Sequence, residues 1–213
     1  MKPQKSPVRP SHELRIIGGQ WKRSKLVVAD RPGLRPTPDR VRETLFNWLG
    51  QDLTGWRCID AFAGTGALGF EAASRGARDV LLVEHDSALI EQLRRVQTKL
   101  QAQAVQLVRG DGVAALRGLA AASMDAVFLD PPFESALFEA VLRAAAPALR
   151  ADGFVYLEAP TLWTDESLEV FGLKVYRHLK AGAVHAHLLR SLLPHGGTLH
   201  NAMQESSQGR ISE

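Results

Sequence analysis

From residue 57 onward, short apolar runs alternate with longer amphipathic segments, and this alternation constrains the fold more than any other feature of the sequence. The apolar runs predict strands near 57–62, 80–84, 104–108, 125–130 and 153–158, and the segments between and after them predict helices near 66–76, 86–101, 112–121 and 134–149. Strands connected through helices lie parallel in one sheet. The pattern therefore predicts an α/β fold, a Rossmann-like, doubly wound and mostly parallel sheet with helices on both faces.

Additional strands are predicted on either side of this repeating unit. Two apolar runs near 168–177 and 183–192 follow each other without an intervening helix, which predicts a C-terminal antiparallel hairpin completing a seven-stranded sheet. Near the N-terminus, runs at 14–17 and 26–28 flank Gly18-Gly19 and predict a small β-hairpin.

A helix is predicted after this hairpin, with Thr37 as its N-cap, Pro38 at its first position and Gly50 at its end. The chain is therefore divided into a disordered tail, a hairpin-and-helix extension, an α/β domain and a second disordered tail. The predicted boundaries are 1–13, 14–50, 51–193 and 194–213.

Charge is distributed unevenly along the chain. Residues 1–45 contain eleven Lys and Arg against four Asp and Glu, a balance of +7, whereas the remainder has fifteen against nineteen, a balance of −4. A basic arm on an acidic body predicts a polyanionic partner, the alternative being a solvated tail.

The single cysteine, Cys58, is predicted to be a core residue, and its use fits a reducing cytoplasm. No apolar run is long enough for a membrane span, and no secretory signal is predicted.

A glycine-rich turn follows the first strand of the repeating unit. Gly64, Gly66 and Gly69 fit the G-x-G-x-x-G pattern, and Glu84 ends the next strand at the position where an acidic group would hold ribose hydroxyls. The alternative is a turn needed only for close helix packing. In its context between a strand and a helix, the pattern predicts a nucleoside cofactor.

Asp60 indicates which nucleoside this would be. A carboxylate just ahead of the glycine turn would repel the diphosphate of NAD, whereas it would favour the cationic S-adenosylmethionine (SAM). Asp111, after the third strand, could accept a hydrogen bond from an adenine amine, although it fits a helix N-cap equally well.

The stretch Asp130-Pro131-Pro132-Phe133 ends the strand predicted at 125–130. Two prolines cannot continue a central strand, and a residue before proline is held extended. The sequence therefore holds one carboxylate and one aromatic ring rigidly at a strand end. A structural cap at a strand-to-helix turn is the alternative.

The motifs "DAFAGTG", "VEHD", "GDG" and "DPPF" resemble, in this order and spacing, those of class I SAM-dependent methyltransferases. "RIIGGQWKRSKL" and "GLRPTPDRVRETLFNWL" narrow the resemblance to the bacterial 16S ribosomal RNA guanine-N2 methyltransferase family, over about residues 14–190. The resemblance implies rRNA methylation at guanine N2, with SAM as the cofactor. It also implies a catalytic loop made of Asp130, Pro131, Pro132 and Phe133, and a cofactor site made of Asp60, Ala63, Gly64, Gly66, Glu84, His85, Asp111 and Gly112.

This chemistry suits a rigid loop of that composition. The exocyclic amine of guanine is a weak nucleophile, and acceptors for its N–H groups would stabilise the charge that develops during transfer. The Asp130 carboxylate and the Pro131 carbonyl could supply two acceptors, held in place by the prolines. Phe133 could stack on the base.

Basic residues of the extension, together with Thr37, are predicted to contact RNA phosphates. They belong to the hairpin and to the flanks of the first helix: Lys22, Arg23, Lys25, Arg35, Thr37, Arg40 and Arg42. Arg42 could instead pair with Asp39 or Glu43. Trp21 and Trp48 are predicted to be packing residues.

The predicted function is therefore a cytoplasmic, monomeric rRNA processing enzyme that acts on 16S ribosomal RNA, within a small-subunit particle. The alternatives are an adenine-N6 DNA methyltransferase, an NAD-dependent oxidoreductase and a ribosome-assembly module without activity. No metal site is predicted, because His185 and His187 alternate on one strand with no third ligand evident.

Overall fold

The structure of the protein is a computed structural model that describes residues 14–26, 37–133 and 135–192. Predictions for Arg35 and for the two tails lie outside these residues. The helices and strands, in chain order, are β1 (Leu14–Arg15), β2 (Lys25–Leu26), α1 (Asp39–Leu49), β3 (Arg57–Asp60), α2 (Ala67–Ser74), β4 (Asp79–Glu84), α3 (Ser87–Leu100), β5 (Val105–Arg109), α4 (Gly112–Arg117), β6 (Met124–Leu129), α5 (Ser135–Ala145), a 3-10 turn (Ala146–Ala148), β7 (Leu149–Ala159), α6 (Asp165–Glu169), β8 (Leu173–Ala181) and β9 (Val184–Ser191).

Seven of the strands form one sheet in the order β5-β4-β3-β6-β7-β9-β8. The first five lie parallel, and β9 pairs antiparallel with both β7 and β8. The predicted Rossmann-like sheet, its C-terminal hairpin and the small N-terminal hairpin are confirmed. Strand order reverses between β3 and β6, and ligands of doubly wound sheets bind outside the carboxyl ends of the strands at such a point.

Apolar side chains fill both faces of the sheet, as expected for parallel strands between helices. Phe128 points to the face covered by α1 to α3, and its ring lies 6.2 Å from that of Phe46 on α1. Val127, its neighbour on β6, packs on the face covered by α4 to α6. Cys58 is buried in the first face, which raises the pKa of its thiol, and is therefore the core residue that was predicted.

The N-terminal hairpin is bonded to α2. The Glu71 carboxylate accepts hydrogen bonds from the backbone N–H groups of Ile17 and Gly18, each at 2.7 Å. Ser74 accepts from the N–H of Trp21 at 3.0 Å and donates to the Gly18 carbonyl at 2.6 Å. A Cβ on Gly19, which has a positive φ, would lie 1.8 Å from the Ser74 carbonyl oxygen. Close approach therefore explains the glycine in this turn.

Two arginines complete this attachment. Arg42 of α1 is fully buried, and its guanidinium contacts Asp39 at 2.7 Å, the Arg15 carbonyl at 2.8 Å and Glu71 at 3.4 Å. Arg75 donates to Glu71 at 2.9 Å. We call Arg42, Glu71, Ser74 and Arg75 the arm anchor. Through it, the hairpin and α1 share one core with the α/β domain, in which Trp21 and Trp48 pack as predicted.

Two local predictions are wrong. Thr37 does not cap α1: Pro38 occupies the N-cap position without a side-chain cap, and the Thr37 hydroxyl donates instead to Glu158. The strand predicted near 168–177 begins only at Leu173, because residues 165–169 form α6. A capping box between Thr164 and Ser167 starts this helix. In the described ranges, no helix has the length and apolar character needed to cross a membrane.

Candidate active site

Four acidic residues meet where the strand order reverses. Asp60 ends β3, Glu84 ends β4, Asp130 directly follows β6, and Glu158 lies near the end of β7. Because these parallel strands are neighbours and end at the same edge of the sheet, residues far apart in sequence are brought to one place. Three of the four were predicted as site residues; Glu158 was not.

The glycine turn lies over Asp60. Gly64 and Gly66 have positive φ angles of 51° and 77°, and the Gly66 N–H donates to the Ala63 carbonyl at 2.6 Å. Asp60 is 2% exposed, and its Oδ2 accepts from the N–H of Gly69 at 3.1 Å. The carboxylate therefore occupies the positive end of α2, where a diphosphate would otherwise bind.

Glu84 links the glycine turn to the next helix. Its Oε2 accepts from the N–H of Gly64 at 2.9 Å, and its Oε1 accepts from the N–H of Asp86 at 2.8 Å. These bonds orient the carboxylate and leave Oε2 a further lone pair for an incoming hydroxyl. His85 is exposed, and its Nδ1 lies 3.1 Å from Glu84 Oε1.

Asp111 and Gly112 begin α4. Asp111 caps the helix by accepting from the N–H of Ala114 at 2.7 Å, so the helix N-cap that the sequence allowed for this residue is confirmed. A Cβ on Gly112 would lie 2.3 Å from the Ala61 carbonyl oxygen. Glycine at 112 thus lets α4 start directly against the loop that follows β3.

Asp60, Asp130 and Glu158 form what we call the acid cluster. Burial, with repulsion from Glu84 and Glu158, raises the pKa of Asp60 to about 7, although hydrogen bonds from Gly69 and Phe62 oppose the rise. Burial also raises the pKa of Asp130 well above its usual value, with further repulsion from Glu158 and Asp60. The main charges acting on these two carboxylates are thus other carboxylates. Such a cluster favours a cation among its members.

Glu158 connects the acid cluster to the extension. Its Oε1 accepts from the Thr37 hydroxyl at 2.6 Å and from the Tyr156 hydroxyl at 2.8 Å. Burial raises the pKa of Glu158, while these two hydrogen bonds oppose the rise. Strand alternation, which puts Tyr156 and Glu158 on one face, was a sequence signal that could have identified this residue.

The loop after β6 combines buried and exposed parts. Pro131 is buried and Asp130 is partly exposed, whereas the Phe133 side chain is 47% exposed. An exposed phenylalanine three residues after a partly exposed carboxylate provides an apolar face near a hydrogen-bond acceptor. That arrangement fits a planar, amine-bearing ligand.

The residues predicted to bind phosphates separate into two groups. Lys22, Arg23, Lys25 and Arg40 are exposed. Thr37 and Arg42 are buried in the contacts given above, so neither is accessible to RNA in this structure. For Arg42, the pairing with Asp39 that had been the alternative is present.

The chain is similar to known proteins over most of its length. Residues 14–190 match the family model described as conserved hypothetical protein 95. Two curated relatives, both named ribosomal RNA small subunit methyltransferase D, come from Escherichia coli (39% identical, covering 79% of this chain and 92% of the relative) and Haemophilus influenzae (37%, covering 78% and 92%). A solved Escherichia coli structure described as a candidate methyltransferase, yhhF, superposes with a TM-score of 0.70 at 38% identity, covering 84% of this chain and 98% of that one.

Proposed function

The chain belongs to the conserved hypothetical protein 95 family, and we propose that it is a SAM-dependent methyltransferase acting on the exocyclic N2 of a guanine in 16S ribosomal RNA. The observation that carries this proposal is the acid cluster at the point of strand-order reversal, whose member Asp130 begins the Asp130–Phe133 loop. The names of the curated relatives support the choice of ribosomal RNA as the substrate.

The residues around the glycine turn suit SAM better than NAD. SAM supplies an activated methyl group on a cationic sulfonium. Asp60 under the turn would attract that cation, with an interaction of up to about 4 kcal/mol at an effective dielectric constant near 20, before desolvation is subtracted. Glu84 would accept from the ribose hydroxyls and Asp111 from the adenine amine. Ala63, Gly64, Gly66, His85 and Gly112 would complete the walls of this site.

Cofactor charge and acid-cluster charge complement each other. Without a cation, Asp60 with a pKa of about 7 is only partly ionised at neutral pH. A cation among the three carboxylates would favour their ionised forms. The cofactor would thus bring Asp130 to the anionic state in which it can accept a hydrogen bond from an amine.

Asp130 and Pro131 would then position the guanine. The Asp130 carboxylate and the Pro131 carbonyl would each accept one N–H of the exocyclic amine, directing the nitrogen lone pair at the methyl carbon. Preorganised acceptors stabilise the positive charge that develops on the nitrogen, and removing one such group costs about 10²–10³ in rate. Phe133 would stack on the base, which is worth roughly 1–3 kcal/mol.

The exposed basic residues would guide the RNA. Lys22, Arg23 and Lys25 belong to the hairpin region. Arg40 is the second residue of α1, and Thr37, two residues before that helix, contacts Glu158. Phosphates held by these residues would therefore lie on the side of the chain that is bonded to the acid cluster. We further propose that the enzyme acts as a monomer, in the cytoplasm, on a small-subunit particle.

The test compares Asp130→Ala with the exposed α5 substitution Glu139→Ala, using 16S rRNA and small-subunit particles from cells that lack this protein. Asp130→Ala should reduce methyl transfer by about 10²–10³ while calorimetry gives SAM affinity close to the wild-type value. Glu139→Ala should change neither. Nucleoside analysis should identify N2-methylguanine.

Three outcomes would contradict the proposal. N6-methyladenine as the product would favour an adenine methyltransferase, and NAD binding without SAM binding would favour an oxidoreductase. Wild-type methylation by Asp130→Ala would remove the catalytic role of the loop.

A further inference from the structure

The C-terminal hairpin brings three histidines together on one face of the sheet. His178 on β8 lies opposite His187 on β9, and His185 is two residues before His187 on the same strand. Each ring offers one nitrogen, and these three nitrogens lie within 4.8 Å of one another, the one such group of potential metal ligands among the described residues. Spacing along β9 alone indicates two ligands, because the third comes from the neighbouring strand.

We propose that His178, His185 and His187, the histidine cluster, bind one divalent transition-metal ion of the zinc class through three imidazole nitrogens. Three imidazoles and one open position are an established donor set for this class of metal. No metal site was predicted from the sequence, because only His185 and His187 were considered and no third ligand was found. His178 on the neighbouring strand was not considered.

Distances within the cluster are close to those that a metal requires. His178 Nε2 and His185 Nδ1 are 3.0 Å apart. Nitrogens bound to one tetrahedral zinc at about 2.0–2.1 Å are separated by roughly 3.3 Å. Small side-chain rotations would therefore give this pair the required spacing. If the third nitrogen lies at the outer limit of 4.8 Å, it must move by about 1–1.5 Å to reach the same spacing.

Some ionisable groups near the histidine cluster favour metal binding, and one opposes it. Burial, with repulsion from the other two histidines, lowers the pKa of His187 to about 4, and burial with repulsion from His185 lowers the pKa of His178. Both shifts favour the neutral form of these rings, which is the form that binds metals. Lys180 lies opposite His185 in the hairpin, so its charge on the same face would weaken cation binding.

His187 connects the histidine cluster to the loop that precedes α6. Its ring is fully buried, its Nε2 accepts from the N–H of Trp163 at 3.1 Å, and its Nδ1 has no hydrogen-bond partner. A metal at Nε2 would replace the Trp163 N–H directly. A metal at Nδ1 would force the ring proton onto Nε2, where it would oppose the same N–H. Either way, metal binding must move Trp163.

Trp163 therefore reports on the site. Its indole packs 6.3 Å from the Phe138 ring and 6.1 Å from the Phe171 ring, so a displaced backbone would change its surroundings. The readouts are calorimetric titration with ZnCl₂, the visible spectrum with CoCl₂, and tryptophan fluorescence with ZnCl₂, on the full chain without an affinity tag. Trp163→Phe assigns the fluorescence change to this residue.

The key variant is His178→Gln, because His178 is exposed and its loss leaves the core intact. We expect one Zn²⁺ per wild-type chain, and an affinity about 100-fold lower for His178→Gln. Lys180→Gln should bind more tightly than the wild type. Melting of His178→Gln without metal should match the wild type, which separates ligation from folding.

His195 and His200 in the C-terminal sequence provide the control, since they could bind metal adventitiously. The double substitution His195→Ala/His200→Ala should retain full affinity and the fluorescence change. Loss of binding in that variant, wild-type affinity in His178→Gln, or no binding by the wild-type chain would each overturn the proposal. The methylation assay is independent of these outcomes.

Discussion

The arm anchor and the acid cluster both bury carboxylates, but they balance the charge in opposite ways. Glu71 in the arm anchor contacts two arginines and accepts from two backbone N–H groups. In the acid cluster, the main charges acting on Asp60 and Asp130 are further carboxylates. The charge of Glu71 is balanced within the chain, whereas the charge of the acid cluster would be balanced by a bound cation.

This difference separates structural from functional burial of charge. A compensated carboxylate holds two parts of the chain together, and removing it takes a counter-charge away from two buried arginines. An uncompensated cluster reduces stability, which is tolerated where ligand binding or chemistry requires shifted pKa values. Three substitutions of buried carboxylates test the distinction, and a fourth tests the exposed basic residues; they follow in order of decreasing expected effect.

Glu71→Ala should give the largest loss of stability. It removes the acceptor for Arg42, Arg75 and the hairpin backbone, so the free energy of unfolding should fall by about 3–5 kcal/mol. Urea denaturation measures this, and Glu91→Ala on the exposed side of α3, where Glu91 pairs with Arg94, should cost about 0–1 kcal/mol. If Glu71→Ala lowered the free energy of unfolding by less than about 1 kcal/mol, the distinction between compensated and uncompensated carboxylates would not hold.

Asp60→Asn should change the pH dependence of stability. The folded-state pKa of Asp60 is about 7, against 3.8 for an unperturbed aspartate, so the folded protein holds an extra proton between these values. Its contribution to the free energy of unfolding is therefore present at low pH and lost as pH rises from about 4 to 7, a change on the order of a few kcal/mol.

Asparagine at 60 keeps an oxygen for the Gly69 N–H but cannot ionise. Urea denaturation of the SAM-free protein at pH 5 and pH 8 should therefore show a smaller loss of stability for Asp60→Asn than for the wild type. Equal losses in the two proteins would mean that Asp60 does not titrate in this range.

Glu158→Gln should alter activity more than stability. Glutamine retains an oxygen for the Thr37 and Tyr156 hydroxyls but removes the charge that helps to raise the pKa of Asp130. The acidic limb of the pH–rate profile should move to lower pH, while the melting temperature stays equal or rises. Thr37→Val removes the hydroxyl but keeps the Glu158 charge, so the acidic limb of its pH–rate profile should not move to lower pH. A limb that moves upward in Glu158→Gln would refute this role.

Lys22→Ala should have the smallest effect, confined to RNA binding. If Lys22 contacts one phosphate, its loss lowers the slope of log affinity against log salt by about 0.7–0.9 and leaves folding unchanged. Filter binding at several salt concentrations measures the slope, with Lys99→Ala at the end of α3 as the matched control. An unchanged slope would exclude Lys22 from the RNA surface.

The periodicity of apolar residues predicted most of the fold, and short motifs predicted the glycine turn and the Asp130–Phe133 loop of the candidate site. The βα order, the glycine turn, Glu84 at the end of β4 and the Asp130–Phe133 loop depend on neighbouring residues, so a single sequence reveals them. Predictions were less successful where distant residues decide the outcome. Thr37 was assigned as a helix cap, yet its hydroxyl bonds to Glu158, 121 residues away. Likewise, α6 was missed: the strand predicted from residue 168 begins inside this helix, which ends at Glu169.

Arg42 and His178 illustrate the same limit. A basic residue in a basic arm is typical of a phosphate contact, but Arg42 is buried by Glu71, 29 residues further along. His178 becomes the neighbour of His187 only through the register of β8 and β9. Neither contact has a local signal, because short-range spacing does not specify strand register or helix packing.

The sequence by itself determined most of the order of strands and helices along the chain, the sharp turns and three of the four acidic residues at the strand ends, since backbone stereochemistry and side-chain periodicity act over a few residues. Only the tertiary structure decided which buried charges are compensated, which basic residues reach solvent and which histidines meet. Those outcomes depend on burial and on distances between remote parts of the chain, and electrostatic energies follow from both.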